Sequence, residues 1–280
     1  VGPGENASTE MLFSWRSTSK TATFYYTDEL NTPLNDWYSI EVNGEYEDSI
    51  FTEEKIANYR FELELTDLTP NTKYAYTIKS SSTTAETHYF QTAGETGNFN
   101  FLWVSDNHAY PSITDRQDKY NTLYKEAMND LNNDIPLVVS TGDDVAYGGN
   151  YNNWQTLVNK IDFFKTTVFI PVTGNHSCYT YESSSNLEKT DTFFDAIINT
   201  PDNGPDEDRN TSFWFLYDSI LFIGLDAFAS NKNSSILSAQ KEFFVETVEA
   251  NEGKYQYIIV FQHYPWMDAL TGGYGPYGTN

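Results

Sequence analysis

Three of the four histidines in this 280-residue chain stand just behind short apolar runs, in company with carboxylates and a carboxamide. Asp106-Asn107-His108 follows the run 99–104, and Gly142-Asp143-Asp144 follows 137–140. Gly174-Asn175-His176 follows 167–172, and His263-Tyr264-Pro265 follows 257–261. Carboxylate, imidazole and amide oxygen together suit borderline divalent or trivalent transition metals, and no thiolate is offered. One carboxylate can bridge two such ions about 3.5–4 Å apart; the pair then polarises a phosphoryl oxygen, lowers the pKa of a bridging water and steadies the leaving oxygen. Singly, each cluster reads as ordinary loop polarity. Four in order, each behind an apolar run, read as a site. The fourth histidine, His88, lies in a β-rich stretch and reads as structural. Cys178 reads as a small buried hydrophobe, since neither a helix start nor a cationic partner stands beside it to lower its pKa.

The elements that must carry these clusters alternate. Apolar runs of strand length at 99–104, 137–140, 167–172, 220–225 and 257–261 are separated by longer amphipathic stretches. Helical spacing over 118–132 puts Tyr120, Leu123, Tyr124, Ala127 and Leu131 on one face. A second helix over 238–249, opening at Ser238-Ala239-Gln240-Lys241, groups Phe243, Phe244 and Val248. This is an α/β layout, and in open α/β sheets ligands bind at strand ends.

Residues 1–94 read as strands throughout. Met11, Phe13 and Trp15 alternate with Leu12 and Ser14, the stretch 22–27 follows, and Phe61, Leu63 and Leu65 share a face. Thr32-Pro33, Asn43-Gly44 and Thr69-Pro70-Asn71 supply turns. Leu68, Pro70, Thr72, Tyr74 and Tyr76 keep a two-residue spacing, as at a sandwich corner where a tyrosine caps the turn into the next strand. The small, polar segment 92–98 reads as a linker.

Composition bounds the function. Net charge is −24, from 40 acidic and 16 basic residues, so a polyanion is repelled and nucleic acid is not expected as a partner. No run of about 18 apolar residues exists, so no membrane span is expected. One cysteine allows no intramolecular disulfide. The 21 Tyr, 19 Phe and 6 Trp suit β-rich structure with real cores. An Asn-, Ser-, Thr- and Tyr-rich, Lys-poor composition resembles that of extracellular bacterial proteins and predicts a secreted or cell-surface location. Val1 opens inside domain-like sequence, which is compatible with a removed signal peptide.

Asp-x-His, Gly-Asp, Gly-Asn-His and His-x-Pro, in this order over 99–280, resemble the calcineurin-like metallophosphoesterase family. Residues 1–94 resemble the fibronectin type III-like module that precedes the catalytic domain in purple acid phosphatases. The resemblance implies an all-β, fibronectin type III-like sandwich over 1–94, followed by a four-layer α/β-β/α metallophosphoesterase sandwich over 99–280. The run Phe213-Trp214-Phe215 leading to Leu225-Asp226 looks like the family's central hairpin. Two transition-metal ions, Fe, Mn or Zn, are implied. Asp106 and His108 would bind the first, Asn175 and His263 the second, and Asp143 would bridge them. His176 would stand near the substrate as proton donor or transition-state stabiliser. The implied activity is hydrolysis of a small phosphate ester, acid-phosphatase-like and directed at phosphomonoesters, with phosphodiesters or nucleotides as the alternative.

The sequence departs from the family pattern at four places. Ser177 stands where an acidic residue usually follows Gly-Asn-His, so the histidine is left a weak, neutral orienting partner. His108 fits the general metallophosphoesterase pattern; true purple acid phosphatases have Gly there, and a Tyr ligand three residues after the bridging Asp. Tyr147 is four residues after Asp143 and three after Asp144, so either Asp144 bridges or Tyr147 is not a ligand. The position of Gly148 in Gly-Asp-x-x-x-x-Gly spacing favours Asp143. Asp144, where an apolar residue is common, reads as a surface carboxylate or one supporting the ligands from behind. Finally, no His follows His263, so the closing Gly-His-x-His is absent, and 272–278 leads into no strand. The product is therefore expected to continue past Asn280. The same absence motivates a rival reading, a non-catalytic extracellular binding protein that retains the fold. Another rival makes 1–94 an adhesion module with Trp37, Tyr38 and Tyr46 as an aromatic platform. Tyr264 and Trp266 would either line a substrate pocket or simply pack.

Overall fold

A computed structural model describes residues 1–47, 59–81, 83–95, 99–113, 115–179, 192–226 and 234–264. Pro265, Trp266, the stretch 272–278 and the end of the expected linker, 96–98, lie outside the described residues.

Among the described residues, the alternating first third forms nine strands. They are β1 (Gly2–Pro3), β2 (Met11–Ser17), β3 (Thr21–Thr27), β4 (Tyr38–Asn43), β5 (Glu45–Tyr46), β6 (Tyr59–Leu65), β7 (Lys73–Ser80), β8 (Thr83–Thr84) and β9 (His88–Gln91). Two antiparallel sheets result. One has the order β1-β2-β6-β5; the other has the order β4-β3-β7-β8, with β9 also on β7. The period-two pattern places Met11, Phe13, Phe24, Phe61, Leu65, Tyr74 and Phe90 inside. Rings meet at close range: Phe13 and Phe24 at 4.7 Å, Tyr74 stacked on Phe90 at 5.2 Å, and Phe24 stacked on Tyr76 at 5.5 Å. The Tyr74 hydroxyl accepts from the Thr69 amide at 2.9 Å, which caps the turn as the spacing implied. His88 is half-buried with its ring 5.7 Å from that of Tyr76. Tyr38 and Tyr46 are exposed but belong to different sheets, and the Trp37 indole donates to the Thr32 carbonyl. These three do not share one strand ladder as a platform would.

Leu12 breaks the alternation by being buried. The outer face of β2 packs against the second half of the chain, where Ser14 donates to the Ile197 carbonyl at 3.0 Å. The expected linker also begins as anchored chain: Thr92 and Ala93 are buried, and the Ala93 amide donates to the Ala7 carbonyl.

The second half continues with β10 (Phe101–Val104), α1 (Asp115–Asp130), β11 (Leu137–Ser140), α2 (Tyr151–Lys160), β12 (Val168–Pro171), α3 (Thr192–Ile197), β13 (Phe213–Tyr217), β14 (Ile220–Gly224), α4 (Ser234–Ala250) and β15 (Tyr257–Phe261). Strands β10, β11 and β12 form a parallel sheet; β13 and β14 form a hairpin, and β15 runs parallel to β14. Val104, Val138 and Phe169 pack under Trp154 and Leu157 of α2 and Tyr120 and Tyr124 of α1. The opposite face, Leu137, Val139, Val168 and Ile170, meets Phe213, Phe215 and Phe222 of the second sheet. Phe243 of α4 covers Leu216, Leu221 and Ile223 behind it. The layers are therefore helix, sheet, sheet, helix.

Residues 1–7 bind both later sheets. Val1 accepts from the Phe169 amide on the outer edge of β12, and residues 5–7 pair with Leu216 on the outer edge of β13. Two strand edges are thus covered by the chain's own beginning.

Three helical expectations need correction. Helix α1 starts three residues earlier than its apolar stripe suggested, and Leu123 and Leu131 are exposed; the buried residue is Gln117. Helix α4 begins at Ser234 rather than Ser238. Helix α2 is missing from the expected helices; Asn150 caps it by accepting from the Asn152 amide at 3.0 Å. Among the described residues no helix is long and apolar enough to cross a membrane.

Candidate metal centre

Three of the polar clusters follow the neighbouring strands β10, β11 and β12, and the fourth follows β15 of the sheet packed against them. The loops behind β10 and β11 are zipped together by backbone bonds: Asp106 N to Gly142 O, His108 N to Asp143 O and Ala109 N to Asp144 O, at 2.8–3.0 Å. Within these loops Asp106, His108 and Asp143 all adopt left-handed backbone, at φ 55°, 47° and 56°. Such conformations are uncommon outside glycine and concentrate at functional sites. The glycine of Gly-Asn-His has a steric reason. A Cβ on Gly174 would lie 2.1 Å from Asp143 Oδ1, so only glycine lets that carboxylate reach the backbone. There it accepts from the His176 amide at 2.9 Å.

Two groups of potential ligands form around this carboxylate: His108, Asp143 and His176, and Asp106, Asp143 and His263. Asp143 belongs to both and is only 2% exposed. His263 Nε2 lies 3.2 Å from Asp143 Oδ2, while His108 Nε2 lies 3.8 Å from Asp143 Oδ2 and 3.5 Å from Asp106 Oδ1. Burial alone would lower the pKa of His263, but the hydrogen bond and charge of Asp143 outweigh it, and the net shift is upward. His108 shifts downward, by burial first and the neighbouring His176 second. Among the described residues, Asp106 and Asp143 have only histidines as ion-pair partners. Carboxylates and imidazoles gathered this closely could hold a metal cation.

The sequence from 99 to 279 matches the family model described as Calcineurin-like phosphoesterase. The chain belongs to the calcineurin-like phosphoesterase family. Its residues 2–92 match the Purple acid Phosphatase, N-terminal domain. Purple acid phosphatase PPD1 from yellow lupin (Lupinus luteus) seeds is similar over 100% of this chain and 54% of its own length, with TM-score 0.69 and 15% identity. PhoD is similar over 79% of this chain and 50% of its own, with TM-score 0.53 and 13% identity. At these identities the likeness is one of fold, and the chain spans about half the length of both structures. No curated protein matches the sequence.

Several positions in this phosphoesterase chain are fixed by groups that motifs do not reveal. His263 Nδ1 meets the Thr141 carbonyl at 2.9 Å, and His176 Nδ1 meets the Ala146 carbonyl at 2.6 Å. A carbonyl can only accept, so each Nδ1 donates, and Nε2 is the nitrogen of each ring turned away from that bond. Ser177 is buried and accepts from the Gly174 amide at 3.3 Å; it closes the loop, while Ala146 orients the imidazole. His176 stands edge-on to His108 with ring centres 4.3 Å apart. The Asn175 amide nitrogen donates to the Tyr179 hydroxyl at 2.6 Å. Asp144 is buried behind the ligands, where both its oxygens lie 2.9 Å from the Ser140 hydroxyl. Burial pushes its carboxyl up to about 7. Tyr147 has its ring 6.3 Å from that of His176, and the Tyr264 ring lies 5.2 Å from that of His263. Helix α1 holds the first loop from behind: Tyr120 donates to the Ser105 carbonyl, and Gln117 to Asn107 Oδ1. A cavity of about 690 Å³ opens between the two halves, beside Trp15, Tyr151 and Gln155, and no ligand residue lines it.

Proposed function

We propose that this chain is the core of a dinuclear-metal-dependent phosphatase that hydrolyses small phosphate monoesters. The observation that carries the reading is Asp143, a buried carboxylate common to two ligand groups. Asp106, His108 and Asp143 would hold one ion, and Asp143, Asn175 and His263 the other, drawn from Fe, Mn or Zn; this division follows the motifs, whereas the folded side chains group Asp106 with His263 and His108 with His176 around Asp143. When bound, such a pair supplies Lewis-acid polarisation of a phosphoryl oxygen and a water acidified toward neutrality.

The residues supply placement and proton handling. Thr141 keeps His263 in the tautomer whose Nε2 faces Asp143. With its nitrogen engaged by Tyr179, Asn175 has its carboxamide oxygen left for a cation. His176, held at Nδ1 by Ala146, would deliver a proton from Nε2 to the departing alkoxide. The monoester preference is supported by the purple acid phosphatase N-terminal match ahead of the phosphoesterase domain. The Lys-poor, Asn- and Ser-rich composition supports action outside the cell.

The test is Asp143→Asn with Mn²⁺ or Zn²⁺ supplied and p-nitrophenyl phosphate as substrate. Turnover should fall by more than about 100-fold; unchanged turnover sinks the shared-ligand assignment. Faster wild-type hydrolysis of bis(p-nitrophenyl) phosphate would move the enzyme to the diesterases.

A further inference from the structure

The candidate ligands come from two different sheets. Asp106, His108 and Asp143 follow strands of the first, and His263 follows β15 of the second. Something must hold the sheet ends at a fixed separation. One tie is the bond between His263 and the Thr141 carbonyl. The other lies outside every motif. Thr173, two residues past β12 and directly before Gly-Asn-His, donates from Oγ1 to Asp226 Oδ1 at 2.5 Å. Asp226 stands two residues past β14, and the two residues are 0% and 2% exposed.

Asp226 is itself braced from the second sheet. Its amide donates to Ser212 Oγ at 3.1 Å, and its carbonyl accepts from Gln240 Nε2 of α4 at 3.1 Å. Ser212 and Gln240 both reach Asp208 Oδ2, at 2.5 and 2.8 Å. Every one of these residues is buried. The sheets also approach closely beside the tie. A Cβ on Gly224 would fall 2.9 Å from Val172 Cγ1 and 2.8 Å from the Phe213 ring. Carboxylate, hydroxyl and tight backbone contact therefore coincide at the point where the ligand loop leaves β12.

We infer that Thr173 and Asp226 are a positioning pair. They fix the Gly174–His176 loop of the first sheet against the second, and so set the affinity of the ion held by Asp143, Asn175 and His263. This rests on the metal reading above. Both partners are buried, so removing the hydroxyl leaves a buried carboxyl oxygen without this donor. Loss of an outer partner of a metal site typically lowers metal affinity about 10–100-fold.

The experiment is a Mn²⁺ titration of the chain, with free Mn²⁺ read by electron paramagnetic resonance, on wild type, Thr173→Val and Thr173→Ser. Melting with chelator present reports the fold separately. Thr173→Val should weaken one Mn²⁺ equivalent by about 10-fold or more and leave the other within about 3-fold. Thr173→Ser, which keeps the hydroxyl, should restore wild-type binding. Wild-type binding by Thr173→Val overturns the inference, as does failure of Thr173→Ser to restore it. So does a loss at both equivalents that tracks a lowered melting point in chelator. Should Thr173→Val not fold, Asp226→Asn replaces it, keeping an acceptor oxygen without the charge. A weakening of about 3-fold at the same equivalent is then expected, and no weakening overturns the pair. Wild type that binds no Mn²⁺ removes the metal reading and this inference together, whereas two wild-type equivalents unaffected by the substitutions remove only the inference.

Discussion

The turn between β6 and β7 and the loops behind β10 and β11 use the same uncommon backbone to different ends. In the turn, Asp67 and Asn71 are left-handed at φ 57° and 49°; in the loops, Asp106, His108 and Asp143 are left-handed at 55°, 47° and 56°. The turn is closed by its own neighbours. Leu68 donates to Thr9, Thr69 to the Tyr74 hydroxyl and Asn71 to Ala93, while the Asp67 and Asn71 side chains face solvent. In the loops the backbone is equally well bonded, but Asp143 is buried with His108 turned toward it, and the exposed Asp106 stands at their edge within 3.5 Å of His108. Left-handed backbone costs a residue other than glycine on the order of 1–3 kcal/mol and is borne best by Asn, Asp and His, so what separates the two regions is the surroundings of these residues and not their type. One region is therefore complete as folded. The other has an electrostatic arrangement that a cation would complete.

If that contrast holds, the two regions should answer to different perturbations. The largest effect belongs to the aromatic core. Phe24, fully buried against Phe13 and Tyr76, should lose about 3–5 kcal/mol of stability on Phe24→Ala. Urea unfolding measures this, and the metal stoichiometry of the folded fraction should not change. The next effect belongs to the loops. Mn²⁺ at about 100 times its dissociation constant should stabilise wild type by about 2.7 kcal/mol. The same addition should leave Asp143→Asn nearly unmoved in a melting experiment. A large Mn²⁺ shift in Asp143→Asn would mean that the ion binds elsewhere, and the contrast between the regions would fail.

How much of this is legible in the sequence follows from range. The strands β11, β12 and β14 appear as unbroken apolar runs because they are buried on both faces, whereas β10 and β15 keep apolar runs although Trp103 and Tyr257 are exposed. The clusters behind them are legible for the same reason, since a strand end fixes where the next residues lie. Helix α1 is misplaced because its buried residue, Gln117, faces inward to reach Asn107, which hydropathy scores as polar. Helix α2 is hidden by asparagines that cap and hydrogen-bond instead of breaking the chain. The Thr173–Asp226 bond joins residues 53 apart, and the carbonyls of Thr141 and Ala146 have no side-chain signature at all. The backbone angles at Asp106, His108 and Asp143 are equally silent, because the residue types that adopt them are not glycine.

The smallest effect tests whether the complete region is also independent. Tyr74→Phe removes one hydroxyl and leaves the Thr69 amide without that acceptor, which should cost about 1 kcal/mol. The ring can stay stacked on Phe90, so packing should be unchanged. Yet the corner is not isolated from the metal loops. Ala93, next to the Thr92 that binds Thr69, is bonded to Ala7, and Ala7 pairs with Leu216 of the second sheet. If this chain of contacts only carries load, Mn²⁺ affinity in Tyr74→Phe should stay within about 2-fold of wild type, well under 1 kcal/mol. A weakening of about 10-fold would instead mean that the turn and the loops move as one body, and that the strain at Asp106, His108 and Asp143 is held from as far away as the first module.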